Sequence, residues 1–225
     1  MMFEDLTALA LTIQLALVTT ALLFLIGTPL AWWLSQTRSS FKPIVETIVA
    51  LPLVLPPTVL GFYLLILFNP NAPLGGLWVQ LTGDTLTFSF TGLVVASIVY
   101  SLPFMVQPLQ TAFEASARMS MELAAMLRAS PLDAFFNVAV PASLRGFITA
   151  GVLTFAHTLG EFGIVLMVGG NIPGETRVVS IAIYEHVETL RYDQAHALSL
   201  VLLAMAFVIL LLVYRFNRRA AIHVG

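Results

Sequence analysis

Long runs without a charged residue constrain this chain more than any other feature of its sequence. Asp, Glu, Lys and Arg are all missing from residues 6–37, 47–83 and 194–214. A helix that crosses the hydrocarbon core of a bilayer needs about 20 mainly apolar residues. Each run is long enough, so the sequence predicts a chain that folds within a membrane.

The overall composition leads to the same class of protein. Hydrophobic residues make up 59% of the 225 residues and charged residues only 10%, against about 25% charged in a soluble domain. A soluble enzyme and a disordered chain are excluded. A nucleic-acid partner is excluded as well, because 10 Lys and Arg residues with a net charge of −2 cannot form a phosphate-neutralising surface. Cysteine is absent, which rules out disulfides and thiolate metal sites.

The charge-free runs predict an all-α, polytopic membrane protein with about five spans in one transmembrane domain, residues 1–225. The predicted spans cover residues 9–34, 45–68, 92–112, 147–170 and 197–214. Two longer connections separate them, at residues 114–144 and 171–196.

The distribution of Lys and Arg predicts the orientation, because these residues collect in cytoplasmic loops. With the N-terminus outside and the C-terminus inside, eight of the ten fall on the inner side. The two left outside are Arg177 and Arg191. Residues 114–144 would then be cytoplasmic and residues 171–196 external.

Sequence signatures of catalysis are missing. Lys42, the single lysine, has no phosphate-binding glycine loop around it. The four histidines are scattered, and neither H-E-x-x-H nor G-x-S-x-G occurs. We therefore expect no enzymatic activity, no catalytic residue and no metal site in this chain.

A proline cluster in the second predicted span, L-P-L-V-L-P-P-T-V-L-G at residues 51–61, predicts an opened helix. Proline removes a backbone donor and clashes with the preceding turn. Open backbone is tolerated at membrane depth only beside protein or a water-filled cavity, so Pro56, Pro57 and Thr58 are candidates for a translocation pathway. The alternative is a kink that only helps helices to pack.

The string H-T-L-G-E-F-G at residues 157–163 places an acid, Glu161, inside the fourth predicted span. An ionisable residue at such a position is costly and marks a functional candidate. Gly160 and Gly163 allow a neighbouring backbone to approach it. The alternative is a structural acid that accepts hydrogen bonds from nearby backbone N–H groups.

The string G-G-N-I-P-G-E-T-R at residues 169–177 predicts a structured turn at the outer membrane surface. It would close the external mouth of a pathway or contact an outside partner, unless it is a plain connection. Its candidate residues are Asn171, Pro173, Gly174, Glu175, Thr176 and Arg177.

The cytoplasmic segment 121–141 begins with helix formers and is interrupted at Ser130 and Pro131. Beyond this point Leu132 opens a series of apolar residues at helical spacing. Such an exposed helix needs a partner. A soluble protein is favoured over the lipid surface, because the segment carries little positive charge.

This segment is similar to the E-A-A-x3-G-x9-I-x-L-P motif in the membrane subunits of binding-protein-dependent ABC importers. The match runs without a gap and departs from the motif at Leu123 for Ala, at Arg128 for Gly, and at Val138 and Val140 for Ile and Leu. The resemblance implies a coupling helix that seats in a groove of an ATPase subunit. The residues that it implies for ATPase coupling are Glu122, Leu123, Ala124, Arg128, Ser130, Pro131, Leu132 and Pro141.

Together with L-P-L-V-L-P-P-T-V-L-G and N-I-P-G-E-T-R, the chain resembles the molybdate permeases of this family over most of residues 45–190. The resemblance implies inward transport of molybdate by alternating access, in a bacterial inner membrane. It implies a second copy of this chain, membrane lipid, two cytoplasmic ATP-binding subunits that use ATP and Mg, and a periplasmic or lipid-anchored oxyanion-binding protein. No cofactor is expected in this chain itself. A tungstate or sulfate permease, and an ATP-independent channel or secondary transporter, stay as alternatives.

The charge pattern is compatible with such a pathway. No predicted span holds a Lys or Arg at its centre. A dianion would therefore contact hydroxyls and backbone dipoles along the pathway and would not bind tightly. An ionised Glu161 would repel a dianion, which favours a structural or gating role for this residue.

Overall fold

The computed structural model describes the backbone of residues 3–126 and 129–219. Every regular element in this part of the chain is helical. The all-α prediction is therefore confirmed. Three of the helices are long and apolar enough to cross a membrane, over Glu4–Gln36, Phe90–Ala115 and Tyr192–Val213. Two bent helix pairs raise the number of candidate spans to five if each pair counts as one span.

The first half of the chain contains two long helices with a folded segment between them. Helix α1 covers Phe3–Gln36. Helices α2 (Lys42–Val54) and α3 (Pro57–Phe68) follow, and their axes differ by 113°. A short helix, α4 (Pro73–Thr82), precedes the long α5 (Phe90–Met126).

The second half begins with a short helical segment, Pro131–Ala142, which we call the 131–142 segment. It consists of α6 (Pro131–Ala134), a π-helical turn (Phe135–Ala139) and α7 (Val140–Ala142). The remaining helices are α8 (Leu144–Leu159), α9 (Gly163–Gly169), α10 (Val179–Glu188) and α11 (Tyr192–Arg219).

Helices α1, α5 and α8 pack against one another and form the centre of the molecule. One apolar cluster contains Leu23, Met105 and Phe113, and another joins α5 to α3 and α9 through Leu93, Leu64 and Ile164. Helix α11 is exposed along most of its apolar length, as expected for a surface that faces lipid.

Two helix breaks divide the predicted spans, and the sequence predicted only the first of them. The predicted span 45–68 is two helices, because Leu55, which precedes a proline, is extended at φ −72° and ψ 135°. The predicted span 147–170 is divided after Leu159, and α9 begins only at Gly163.

The two longer connections between the predicted spans contain helices, and the sequence indicated only those within residues 121–141. Helix α5 continues to Met126, inside the predicted loop 114–144. The predicted loop 171–196 contains all of α10 and the first turn of α11.

Candidate translocation pocket

The two helix breaks meet in space. A pocket of about 550 Å³ lies where the α2–α3 break approaches the α8–α9 break. Discontinuous helices of this kind border the substrate sites of many transporters. The pocket is lined by Pro57, Thr58, Tyr100, Ala156, His157, Gly160, Glu161, Phe162 and Gly163.

Five residues that the sequence singled out for a pathway therefore line one pocket: Pro57, Thr58, Gly160, Glu161 and Gly163. Pro56, the sixth, precedes them as the N-cap of α3, and its carbonyl accepts hydrogen bonds from the backbone of Val59 and Leu60.

The carboxyl group of Glu161 is almost fully buried, with 3% of the residue exposed. Its Oε2 accepts a hydrogen bond of 2.5 Å from Ser97 on α5. Its backbone carbonyl accepts one from the hydroxyl of Ser180 on α10. Oε1 has no hydrogen-bond partner within the described part of the chain. Glu161 thus joins the α8–α9 break to two other helices while one carboxyl oxygen stays free.

His157 lies four residues before Glu161 and contacts two aromatic rings. The ring centroid of Phe104 is 4.0 Å away and that of Tyr100 is 4.7 Å away. Its Nδ1 lies 2.9 Å from the hydroxyl of Ser101. Sequence reasoning missed His157 and Tyr100 because neither carries a motif of its own, although His157 stands at the head of H-T-L-G-E-F-G.

The pocket offers hydrogen-bonding groups without a fixed cation. Hydroxyls of Thr58 and Tyr100 and the imidazole of His157 belong to its lining, and no Lys or Arg does so among the described residues. Across residues 3–126 and 129–219, no three His, Asp or Glu side chains are placed to hold a metal ion.

The N-I-P-G-E-T-R turn is built around the buried Thr176. Its hydroxyl donates to the carbonyl of Gly169 at 2.7 Å and accepts from the backbone of Ile172. The Ile172 carbonyl in turn accepts from three successive backbone N–H groups, those of Glu175, Thr176 and Arg177.

The side chains at the tip of this turn are exposed, namely those of Asn171, Pro173 and Glu175. Gly174, also exposed, adopts φ +82°, a conformation that glycine accommodates without strain.

Arg177 fixes this turn to two other parts of the chain. Its guanidinium is buried and contacts Glu4 at the start of α1 at 3.2 Å and Glu185 on α10 at 3.1 Å. Beside it, Nε2 of the buried His186 lies 2.9 Å from Oδ1 of the buried Asp5. The beginning of α1 is therefore attached to the turn and to α10 by polar contacts that the sequence did not indicate.

The 131–142 segment exposes part of its surface and buries the rest. Ser130 caps it by accepting a hydrogen bond from the backbone of Asp133. Phe135 packs at 5.1 Å, between ring centroids, on Trp32 of α1. Leu132 and Phe136 are 72% and 62% exposed. Pro131 and Pro141 are also exposed.

The structure does not describe the side chains of the remaining residues implied for ATPase coupling. Glu122, Leu123 and Ala124 belong to the backbone of α5, but their side chains lie outside the described part of the structure. Arg128 lies outside the described residues altogether.

The fold is shared with membrane subunits of ABC importers. A bacterial ABC transporter that imports the acidic polysaccharide alginate matches with a TM-score of 0.74 at 18% identity, over 97% of this chain and 80% of that one. The MetNI methionine ABC transporter, in an inward-facing crystal form, matches with a TM-score of 0.74 at 17% identity, over 97% and 99%.

Sequence relatives define the family. The binding-protein-dependent transport system inner membrane component family matches residues 24–222. The chain is 55% identical to the molybdenum transport system permease protein ModB of Azotobacter vinelandii, over 96% of this chain and 95% of that protein. It is 34% identical to a probable sulfate transport system permease protein cysT of Zygnema circumcarinatum, over 90% and 69%.

The family match and these relatives identify the chain as a multi-pass permease subunit of an ABC importer. The chain belongs to the binding-protein-dependent transport system inner membrane component family.

Proposed function

We propose that this chain is the permease subunit that carries molybdate inward through an ATP-driven importer. The observation that carries the proposal is the pocket at the meeting point of the two helix breaks, whose described lining offers hydroxyl and imidazole groups and no fixed cation. The 55% identity to a molybdenum transport permease supports the choice of anion. Tungstate and sulfate are the competing substrates, and a probable sulfate permease at 34% identity supports the second of them.

The lining of the pocket suits transient binding of an anion better than tight binding. A dianion that met several fixed cations would bind tightly and leave slowly, whereas a pathway needs an ion to enter and to leave. High affinity and selectivity would then belong to a separate oxyanion-binding protein outside. We assign Pro56, Pro57, Thr58, Gly160 and Gly163 to the pathway and its gate. We assign Glu161 a structural or gating role.

On the inner side, we propose that the 131–142 segment docks on an ATP-binding subunit. Its exposed Leu132 and Phe136 supply an apolar contact surface, while the partly buried Phe135 packs on α1 and α5. A displacement of this segment would therefore pass directly to two long helices. The proposed coupling region also includes Pro131 and Pro141 of this segment and, earlier in the sequence, Glu122, Leu123, Ala124, Arg128 and Ser130.

We propose that the N-terminus of this chain lies outside, as the distribution of Lys and Arg predicts. On that outer side, the 169–177 turn contacts the oxyanion-binding protein. Two copies of this chain and two ATP-binding subunits would form the transporter, and those subunits would use ATP and Mg. Hydrolysis in a separate subunit agrees with the absence of a phosphate-binding loop from this sequence.

The test is ATP-dependent uptake of labelled molybdate into proteoliposomes. They would contain this chain with its co-purified ATPase, with the binding protein supplied outside and unlabelled tungstate or sulfate as competitor. Uptake that requires ATP and resists sulfate is the expected result. Uptake without ATP would favour a channel or secondary transporter, and uptake of sulfate instead of molybdate would overturn the proposed substrate.

A further inference from the structure

Two side chains on one face of α10 contact the α8–α9 break. The hydroxyl of Ser180 donates a hydrogen bond to the backbone carbonyl of Glu161. The ring of Tyr184 packs on that of Phe162, with 5.0 Å between the ring centroids. Residues four apart in a helix lie on the same face, one turn above the other. Helix α10 therefore contacts two successive residues of the break, and both of them line the pocket.

The hydrogen bond from Ser180 bears on where α9 begins. The backbone ladder of α9 starts at the carbonyl of Phe162, which accepts from the N–H of Leu166. The carbonyl one residue earlier, that of Glu161, accepts from the Ser180 hydroxyl. Without this hydroxyl, the carbonyl of Glu161 is free to accept from the N–H four residues later, which would lengthen α9 towards α8. Ser180 therefore helps to keep the break, and with it the pocket, in its present shape.

The 169–177 turn is attached to the same helix by side chains as well as by the chain itself. Glu185 on α10 accepts a hydrogen bond of 2.7 Å from Asn171 at the exposed tip of the turn. The same carboxylate oxygen lies 3.1 Å from the guanidinium of Arg177 at the end of the turn. Only one residue separates Arg177 from Val179, where α10 begins. A displacement of the turn would therefore displace α10 as well.

We propose that Ser180 and Tyr184 are positioning residues through which a protein bound at the 169–177 turn controls the pocket. Contact of the anion-loaded binding protein displaces the turn and α10 together, and the two side chains pass this displacement to Glu161 and Phe162 in the pocket wall. Neither Ser180 nor Tyr184 belongs to the described lining of the pocket, so both act through the break and not on the anion. The proposal rests on the proposed function and names the regulation of the same site.

The experiment measures how strongly the molybdate-loaded binding protein stimulates ATP hydrolysis by the complete transporter in proteoliposomes. Molybdate uptake and the affinity for the binding protein are measured beside it. S180A removes the hydrogen bond and Y184A removes the ring contact. Each should lower stimulation and uptake by about threefold or more, as expected for one hydrogen bond or one aromatic pair. The affinity for the binding protein should stay at the wild-type value, which a disrupted docking surface would not allow.

Three variants serve as controls and should keep the wild-type stimulation. S180T retains the hydroxyl, and Y184F retains the ring while losing only the bond from the Tyr184 hydroxyl to Glu188. S199A removes a hydroxyl from another half-buried serine, on α11. Loss of stimulation in S180T and Y184F as well would show that neither the hydroxyl nor the ring contact is what matters.

The remaining outcomes separate this proposal from the proposed function. An alanine variant that keeps the wild-type stimulation, or that loses affinity for the binding protein in parallel, overturns the role of that residue and leaves the proposed function standing. A wild type that takes up no molybdate overturns the proposed function itself. If one alanine variant does not assemble with the ATPase, the other decides. If neither assembles, the two residues serve the fold alone and the positioning role is overturned.

Discussion

Pro57 and Gly163, which both line the pocket, approach each other too closely to leave room for another side chain. A Cβ on Gly163 would lie 2.9 Å from Cβ of Pro57, closer than packed atoms come. Pro57 begins α3 and Gly163 begins α9, so this contact brings the starts of two interrupted helices together. The pocket beside them depends on a glycine at this position.

Substituting Gly163 by alanine should therefore separate the starts of α3 and α9. The added methyl meets a rigid proline ring, and we expect a loss of about 1–3 kcal/mol in the free energy of unfolding, with reduced uptake. Gly160→Ala is the control, since its Cβ would have nothing closer than 3.8 Å. Thermal unfolding in detergent compares the two, and equal midpoints would contradict this packing.

Thr176 should stabilise the outer turn through its hydroxyl. Thr176→Val keeps the shape of the side chain but leaves the carbonyl of Gly169 and the backbone N–H of Ile172 without this partner. We expect a cost of about 1–3 kcal/mol. Glu175→Gln, at an exposed neighbouring position, should cost less than about 0.5 kcal/mol. A chemical or thermal unfolding series measures both, and a stable Thr176→Val protein would argue against the buried turn.

Two neighbouring acids at the start of α1 should contribute unequally to the free energy of unfolding. Asp5 is buried against His186, whereas Glu4 is largely exposed and Arg177 keeps Glu185 when Glu4 is lost. Asp5→Ala should destabilise the protein by about 3 kcal/mol, and Glu4→Ala by less than about 1 kcal/mol. The reverse order in unfolding midpoints would show that α1 is not attached through the buried pair.

The exposed face of the 131–142 segment should be needed for assembly with the ATPase. Phe136→Asp puts a charge on the proposed contact surface, so co-purification of the ATPase and coupled uptake should both fall at least tenfold. Phe41→Asp is the control, since Phe41 is equally exposed, at 66%, but lies at the start of α2. Loss of the ATPase in both variants, or in neither, would contradict docking through this face.

Sequence patterns predicted the parts of the fold that composition decides. The apolar runs predicted the helical membrane class, and Pro56 and Pro57 predicted the interruption of the second span, because proline restricts its own backbone and that of the residue before it. The break after Leu159 was missed. An apolar run has the same appearance whether its helix continues or stops, and Gly160 and Gly163 suggested only close packing.

Only some of the residues at the pocket could be predicted from the sequence. Residues with conspicuous chemistry, such as Thr58 and Glu161, were found because an acid or a proline is rare inside a span. Ser97, Tyr100 and Ser101 occupy an ordinary helical run on α5, and only the tertiary packing of α5 on α8 brings them to Glu161 and His157. The link between Asp5 and His186 joins residues far apart in the chain, and no local pattern indicates it.

The most direct test of the central claim is the accessibility of a single cysteine placed in the pocket. The chain contains no cysteine, so Thr58→Cys introduces one thiol into the pocket lining, and Phe207→Cys introduces one on the exposed apolar surface of α11. If the pocket is on the pathway, a charged, membrane-impermeant thiol reagent should label Cys at 58 in a nucleotide-dependent manner and block molybdate uptake, but leave Cys at 207 unmodified. Labelling at neither position in any nucleotide state, or labelling at 58 without loss of uptake, would contradict it.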